Sequence, residues 1–306
     1  MRRRLRQFAE RLYERLLLAE LSETPSHVAV IQDGNRRYAA SQGGDPTDGH
    51  RAGAETTEQL LRWCDELGIE EVTLYAFSTE NFSRPPDERR ELFDLVAEKL
   101  REFADSERIH ESGVRIRAIG ETGRLPDRVQ DAIAYAQHRT ADYDAYHLNV
   151  ALAYGGRAEL LGATREIARQ VERGDRDPAT VDVETVEAAL YDGPTRDVDL
   201  IVRSGGDERT SNFLPWQANG NEAAVYFSAP YWPAFRKIDF LRGVRTYEHR
   251  ERERVQGSIQ RARMFVRALG ATVADSTVVA RARAVLPGMK PRADGVGDDA
   301  DAGTAD

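Results

Sequence analysis

Apolar positions along this chain fall into two kinds of block. Val28 to Ile31, Val72 to Phe77, Val114 to Gly120, Leu148 to Tyr154, Val198 to Arg203 and Ala223 to Phe227 are short runs rich in β-branched and aromatic residues, and they predict strands. Between them, apolar residues recur at helical spacing. The periodicity predicts helices over His50 to Leu67, ending at Gly68, from Asp87 to about His110, from Leu125 to Arg139, from after Arg157 to about Arg173, from Val183 to Tyr191 and from Val255 to Leu269. Residues 1–24 place Leu5, Phe8, Leu12, Leu16 and Leu17 at the same spacing, so an amphipathic helix is expected there too.

Strand alternating with helix implies a parallel sheet joined by right-handed crossovers, and the unbroken apolar character of Val28 to Ile31 fits a strand covered on both faces. The expected fold is α/β: a single domain with a central, mostly parallel sheet of about six strands flanked by helices. Its expected limits are residues 25–270, preceded by the helix in 1–24 and followed by an extension, 271–306, whose Gly, Asp and Ala content from about Pro287 reads as a disordered acidic tail.

Composition narrows the class. With 41% hydrophobic and 31% charged residues the chain reads as a soluble globular protein. No apolar run approaches the roughly 20 residues of a membrane span, and Met1-Arg2-Arg3-Arg4 does not lead into a signal-peptide core. The expected location is cytoplasmic, with the Arg-rich first helix either packed on the body or touching a membrane surface. The single cysteine, Cys64, excludes an internal disulfide and a cysteine-built metal cluster.

Charge changes the picture further. The net charge is −9, while lysine occurs only at Lys99, Lys237 and Lys290, so nearly all positive charge is arginine. An acidic surface with almost no lysine suggests a halophilic, salt-adapted protein, and it argues against nucleic acid as partner, because phosphate backbones need a basic face.

Four strand ends deliver groups suited to anions or metals: Asp33, Asn35, Arg36 and Arg37 from the first, Ser78, Glu80, Asn81 and Arg84 from the second, Tyr154 and Arg157 from the fourth, and Arg203, Arg209 and Ser211 from the fifth. In an open α/β sheet the carboxyl ends of the strands form the binding edge. One such arginine alone reads as a surface ion pair. Several on one edge call for a highly charged substrate, with diphosphate matching the bidentate donors of arginine.

Five motifs carry a resemblance: His27 to Tyr38; Gly49-His50-Arg51-Ala52-Gly53; Thr73 to Pro85; Asn149 to Arg157; and Asp199 to Gln217. In that order they resemble the cis-prenyltransferases, the undecaprenyl or polyprenyl diphosphate synthases, over roughly residues 25–255. The resemblance implies Mg²⁺-dependent condensation of isopentenyl diphosphate onto an allylic diphosphate, geranylgeranyl or farnesyl, by a homodimer making a long polyprenyl diphosphate, a precursor of glycosyl-carrier lipid, with membrane contact through the lipid product. It makes Asp33 the essential aspartate and metal ligand, with Gly34, Asn35, Arg36, Arg37 and Tyr38 around the phosphate-binding turn. Arg203, Arg209 and Ser211 match the isopentenyl diphosphate clamp, and His50, Ser78, Asn81, Phe82 and Arg84 match groups near the reacting ends. Ala76, Phe77, Leu92, Leu95 and Val96 are candidates for a tunnel that holds the growing chain.

The chain also departs from the pattern. The family's second metal ligand, a glutamate reaching into the partner subunit, matches Glu222 counted forward from Gln217 but Ala224 counted back from Tyr226-Phe227. Asp207 replaces a usual glutamate. The loop before Gly49 has Pro46 where an arginine is often found, and Arg36 is the candidate to compensate. The competing readings are a non-catalytic partner subunit on this fold and a phosphate-ester hydrolase, which would need a positioned nucleophile that the sequence does not present.

Overall fold

The computed structural model describes residues 2–190, 196–218 and 222–268, with side chains described from residue 10 to residue 262. In chain order the elements are α1 (Arg2–Glu20), β1 (His27–Ile31), α2 (Asn35–Gln42), α3 (Pro46–Glu66), β2 (Glu71–Ser78), α4 (Pro86–Asp105), α5 (Glu107–Glu111) and β3 (Val114–Ile119). They continue with α6 (Asp127–Arg139), β4 (Tyr146–Tyr154), α7 (Gly156–Glu172), α8 (Val183–Leu190), β5 (Leu200–Arg203), β6 (Ala224–Phe227) and α9 (Lys237–Ala268). The chain divides into two compact units, residues 1–249, which hold the sheet, and residues 250–306. The expected acidic tail lies outside the described residues.

The six strands form one sheet in the order β3-β4-β2-β1-β5-β6, and every neighbouring pair is parallel. All five residues of β1 are buried, as its uninterrupted apolar run requires at the centre of a doubly covered sheet. Val28, Val30, Val72, Leu74, Leu148 and Val150 point into a core with residues of α3, α4 and α6. Ala29, Ile31, Ala151, Tyr154 and Ile201 face the other way, onto Phe213 and Leu214. Several helix boundaries differ from the pattern-based expectation for local reasons.

Helix α3 starts at Pro46, not His50, because Asp45 and Asp48 form a reciprocal capping box with Pro46 in the first turn. The helix expected to run from Asp87 to His110 is two helices, split where Ser106 adopts extended backbone and begins α5. Thr79 to Ser83, which carry the polar groups after β2, form a 3-10 turn opened by a capping box between Ser78 and Asn81. The last helix begins at Lys237 rather than Val255. Ile238, Phe240, Leu241 and Val244 are buried there, and between them Asp239 pairs with Arg242 one turn on at 3.6 Å, so a segment that looks polar carries a narrow apolar stripe.

Helix α1 is present as expected and meets the body through Leu17, which packs on Ile238 and Leu241. Leu12 and Leu16 remain about half exposed, at 50% and 52%. Among the described residues no helix is long and apolar enough to cross a membrane.

Candidate active site

The register of the two central strands creates the site. Ile31 of β1 lies opposite Arg203 of β5, so the residues that follow β1 meet an arginine that is only 3% exposed. Arg203 donates from Nη2 to Asp33 Oδ2 at 2.6 Å and from Nη1 to the Arg209 carbonyl at 2.6 Å and to Ser211 Oγ. Arg37, one helical turn after Asp33, holds the other carboxylate oxygen at 3.1 Å. Burial pushes the Asp33 carboxyl up, but the hydrogen bond and charge of Arg203, joined by Arg37, outweigh it and hold the group below its ordinary range.

Asp33 is itself fixed from behind. Its amide donates to Ser204 Oγ at 3.0 Å, and that hydroxyl donates to the Asp33 carbonyl at 2.8 Å. Gly34 then turns the chain into α2 with φ of 98°, and a Cβ there would stand 2.6 Å from the Tyr231 ring. Only glycine accepts both the backbone angle and the close approach.

The loop after β5 is held in a less common conformation. Ser211, Asn212 and Leu214 all have positive φ, at 50°, 59° and 47°, a region disfavoured for residues with a Cβ. Asn212 secures it: its carbonyl accepts from the Gly156 amide and its Oδ1 from the Arg157 amide, both at 2.9 Å, at the start of α7. A Cβ on Gly156 would lie 2.2 Å from the Pro215 ring, so the Gly155-Gly156 pair lets this loop reach the sheet edge. The strap orients Ser211, and sequence reading passed over Asn212 because its importance depends on a contact 55 residues distant.

A second cluster comes from α3 and the end of β2. Arg84 donates from Nη1 to Glu88 at 3.0 Å and to His50 Nε2 at 3.2 Å, and Arg36 lies 3.6 Å from the same glutamate oxygen. Burial, reinforced by the charges of Arg84 and Arg36, pushes the His50 imidazole down to about 4. At neutral pH it is uncharged and its Nε2 accepts. Glu88 therefore anchors both cations, a role that its place in a charged helical run, Asp87-Glu88-Arg89-Arg90, does not reveal.

These groups open onto a cavity of about 310 Å³. Its charged end is lined by Asp33, Asn35, His50, Arg84, Arg203 and Arg209. Ser78 and Asn81 follow, and the far end is apolar, with Ala76, Leu92, Leu95, Val96, Leu100 and Phe103. Lys99 stands at that end, bound to Glu58 at 3.0 Å and Glu102 at 2.7 Å. Four of the five expected tunnel residues are therefore on the wall. Phe77 is the exception: it is 1% exposed and packs its ring on Phe82 and Phe93 at 5.0 Å, outside the cavity.

Other expected site residues sit further back. Tyr38 and Phe82 do not line the cavity, and Phe82 instead lies under the Arg124 guanidinium at 4.5 Å. Tyr154 is fully buried and Arg157 is on the surface. Glu222 lies on the opposite edge of the sheet. Ala224 pairs with Leu200, which pairs with Val28, so Glu222 stands two residues before β6 whereas Asp33 stands two residues beyond β1, about 20 Å away along the strands. The two carboxylates do not meet within one protomer, and among the described residues no group of three His, Cys, Asp or Glu side chains could hold a metal ion.

One carboxylate still suits Mg²⁺, which prefers oxygen ligands and is commonly held by one or two carboxylates with substrate phosphates and water. Asp33 lines the cavity with its side chain 28% exposed, and each oxygen engaged by an arginine retains a lone pair. Trp232 completes this region from the following turn, donating from Nε1 to the Gly53 carbonyl at 2.8 Å.

The family model of undecaprenyl diphosphate synthases matches residues 31–255. A tritrans,polycis-undecaprenyl-diphosphate synthase (geranylgeranyl-diphosphate specific) of Halobacterium salinarum is 60% identical over 94% of this chain and 95% of its own. The protein so named in Haloarcula marismortui is 66% identical over 84% of each chain. Among solved structures, lavandulyl diphosphate synthase from Lavandula x intermedia, in complex with dimethylallyl diphosphate, matches with a TM-score of 0.68 and 33% identity, over 73% of this chain and 95% of that one.

Proposed function

Because this chain belongs to the undecaprenyl diphosphate synthase family of cis-prenyltransferases, we propose that its carboxyl-edge site condenses isopentenyl diphosphate onto an allylic diphosphate, geranylgeranyl diphosphate, to build a long polyprenyl diphosphate. The observation that carries this reading is the joined Asp33–Arg203 pair at the mouth of a cavity that is charged at one end and apolar at the other. A diphosphate ester with a hydrocarbon tail has that same polarity.

In this reading Arg203, Arg209 and Ser211 bind the isopentenyl diphosphate, while Asp33, the turn at Gly34 to Arg37, and the His50–Arg84 pair bind the allylic diphosphate. The allylic carbon–oxygen bond breaks, the isopentenyl double bond attacks that carbon, and the isopentenyl carbon next to the resulting cation gives up a proton to the departing diphosphate. Diphosphate departs with growing negative charge, which fixed guanidinium groups stabilise without reorganising. Asp33, with diphosphate oxygens, would hold Mg²⁺, which neutralises the leaving group when bound. Ser78 and Asn81 face the reacting ends, and the apolar wall from Ala76 to Phe103 takes up the lengthening chain. A homodimer is part of the proposal, with Glu222 of one subunit serving the Asp33 site of the other. So is a cytoplasmic location, with the half-exposed Leu12 and Leu16 of α1 directed at a lipid surface.

The test uses the pure protein, Mg²⁺ and labelled isopentenyl diphosphate with geranylgeranyl or farnesyl diphosphate in turn. Extractable polyprenyl product, longest and most abundant from geranylgeranyl diphosphate by mass spectrometry, is the expected result. Silence alone, with activity restored by a second chain, would reassign the protein as a non-catalytic partner. Sedimentation velocity checks the dimer, and unfolding at low potassium chloride checks the salt adaptation that the net charge of −9 and the scarcity of lysine suggest.

A further inference from the structure

A second cavity, of about 410 Å³, lies against the strands on the face that carries His27, Thr73, Asn149, Arg115 and Arg117, and it takes no part in the chemistry above. Its size falls in the range of small-molecule pockets. Part of its wall is closed on itself. His27 donates from Nδ1 to the Arg196 carbonyl at 3.1 Å and accepts at Nε2 from the Thr73 hydroxyl at 2.8 Å. Asn149 then donates to Glu71 at 2.6 Å and to Thr73 at 3.2 Å.

The rest of the wall is not closed. Arg115 and Arg117 stand two residues apart on β3, so both side chains point to the same face. Both are half-buried and line the cavity, and neither makes an ion pair or side-chain hydrogen bond among the described residues, although the protein carries 52 acidic side chains. Like charges at this separation repel, and a half-buried guanidinium without a counter-charge is an unusual arrangement. Glu159, also on the wall, receives the Tyr154 hydroxyl at 2.5 Å.

We infer that this cavity is a binding site for a small organic phosphate, its phosphate held by Arg115 and Arg117. The anionic group follows from two unpaired forks on one strand face, since guanidinium binds phosphate oxygens in a bidentate manner. The cavity opens on the other side of the sheet from the apolar wall of the first one, so the ligand is distinct from the prenyl substrates.

Glucose 6-phosphate is a probe of this class, titrated calorimetrically into the full chain at one fixed salt concentration with EDTA present, beside inorganic phosphate. Wild type and Arg203→Ala should bind it equally, and the double variant Arg115→Gln/Arg117→Gln should bind it at least tenfold more weakly, with basal prenyl transfer unchanged and unliganded Tm not lowered. The double variant Arg115→Lys/Arg117→Lys, which keeps the charge but not the fork, should fall between. No heat with wild type at millimolar ligand, binding abolished by Arg203→Ala but kept by the glutamine pair, or a glutamine pair that changes the oligomeric state or lowers the unliganded Tm would each overturn the assignment.

Discussion

Two polar clusters stand on the same central strands and obey different rules. At the carboxyl edge, Asp33, Arg203, Arg37 and Asp207 neutralise one another in a half-open site, each charged group retaining capacity for a further partner. Toward the amino ends, His27, Thr73, Asn149 and Glu71 are sealed into a directed chain of hydrogen bonds in which each donor has its acceptor. The first cluster can exchange an internal ion pair for a bound anion. The second can exchange nothing without leaving a buried group unsatisfied. Substitutions in the first should therefore fall on turnover, and in the second on stability.

The most severe test of that contrast is Asp33→Ala. Prenyl transfer should drop by about three orders of magnitude, in the range seen when a principal electrostatic group is removed, while Tm changes little; near-normal incorporation of labelled isopentenyl diphosphate would break the assignment. Arg203→Ala should follow, with kcat/KM for isopentenyl diphosphate reduced about a hundredfold, roughly the value of two charge-assisted hydrogen bonds, and a smaller effect on the allylic substrate.

Asn149→Ala probes the other cluster. It strips Glu71 and Thr73 of a donor and should lower stability by about 3 kcal/mol in urea titration, with KM for both substrates unchanged. A shifted KM would show the two clusters to be coupled.

Glu159 refines the comparison through pH. Burial pushes its carboxyl up to about 7, against the Tyr154 hydrogen bond, which lowers it. Between the unfolded value near 4.5 and about 7 the folded chain binds the extra proton, so this group's contribution is fully present below pH 4.5 and is lost as pH rises through 7. Glu159→Gln should remove that fall, gaining on the order of 2 kcal/mol at pH 8 relative to wild type, as read from urea midpoints across pH. The smallest expected effect is at Arg36, which is 55% exposed and only 3.6 Å from Glu88. Arg36→Ala should raise KM for the allylic diphosphate a few-fold, and an unchanged KM would remove it from the site.

The sequence by itself determined the strands, their parallel order of connection and the edge at which chemistry collects, because those follow from local periodicity and from short motifs such as Asp33-Gly34-Asn35. That Arg203, Arg209 and Ser211 stand together was legible for the same reason, all three residues lying within one motif. Only the tertiary structure decided which polar groups face each other. Glu88 looked like one more charge on a helix until α3 brought His50 beside it. Asn212 gained its role from α7, and Phe77 lost its expected place on the tunnel wall to packing with Phe82 and Phe93. Arg115 and Arg117 are, in the sequence, two charges alternating with apolar residues of a strand. Their lack of a counter-charge among the described residues is a property of everything folded around them, and no local pattern encodes what a neighbour distant in sequence fails to supply.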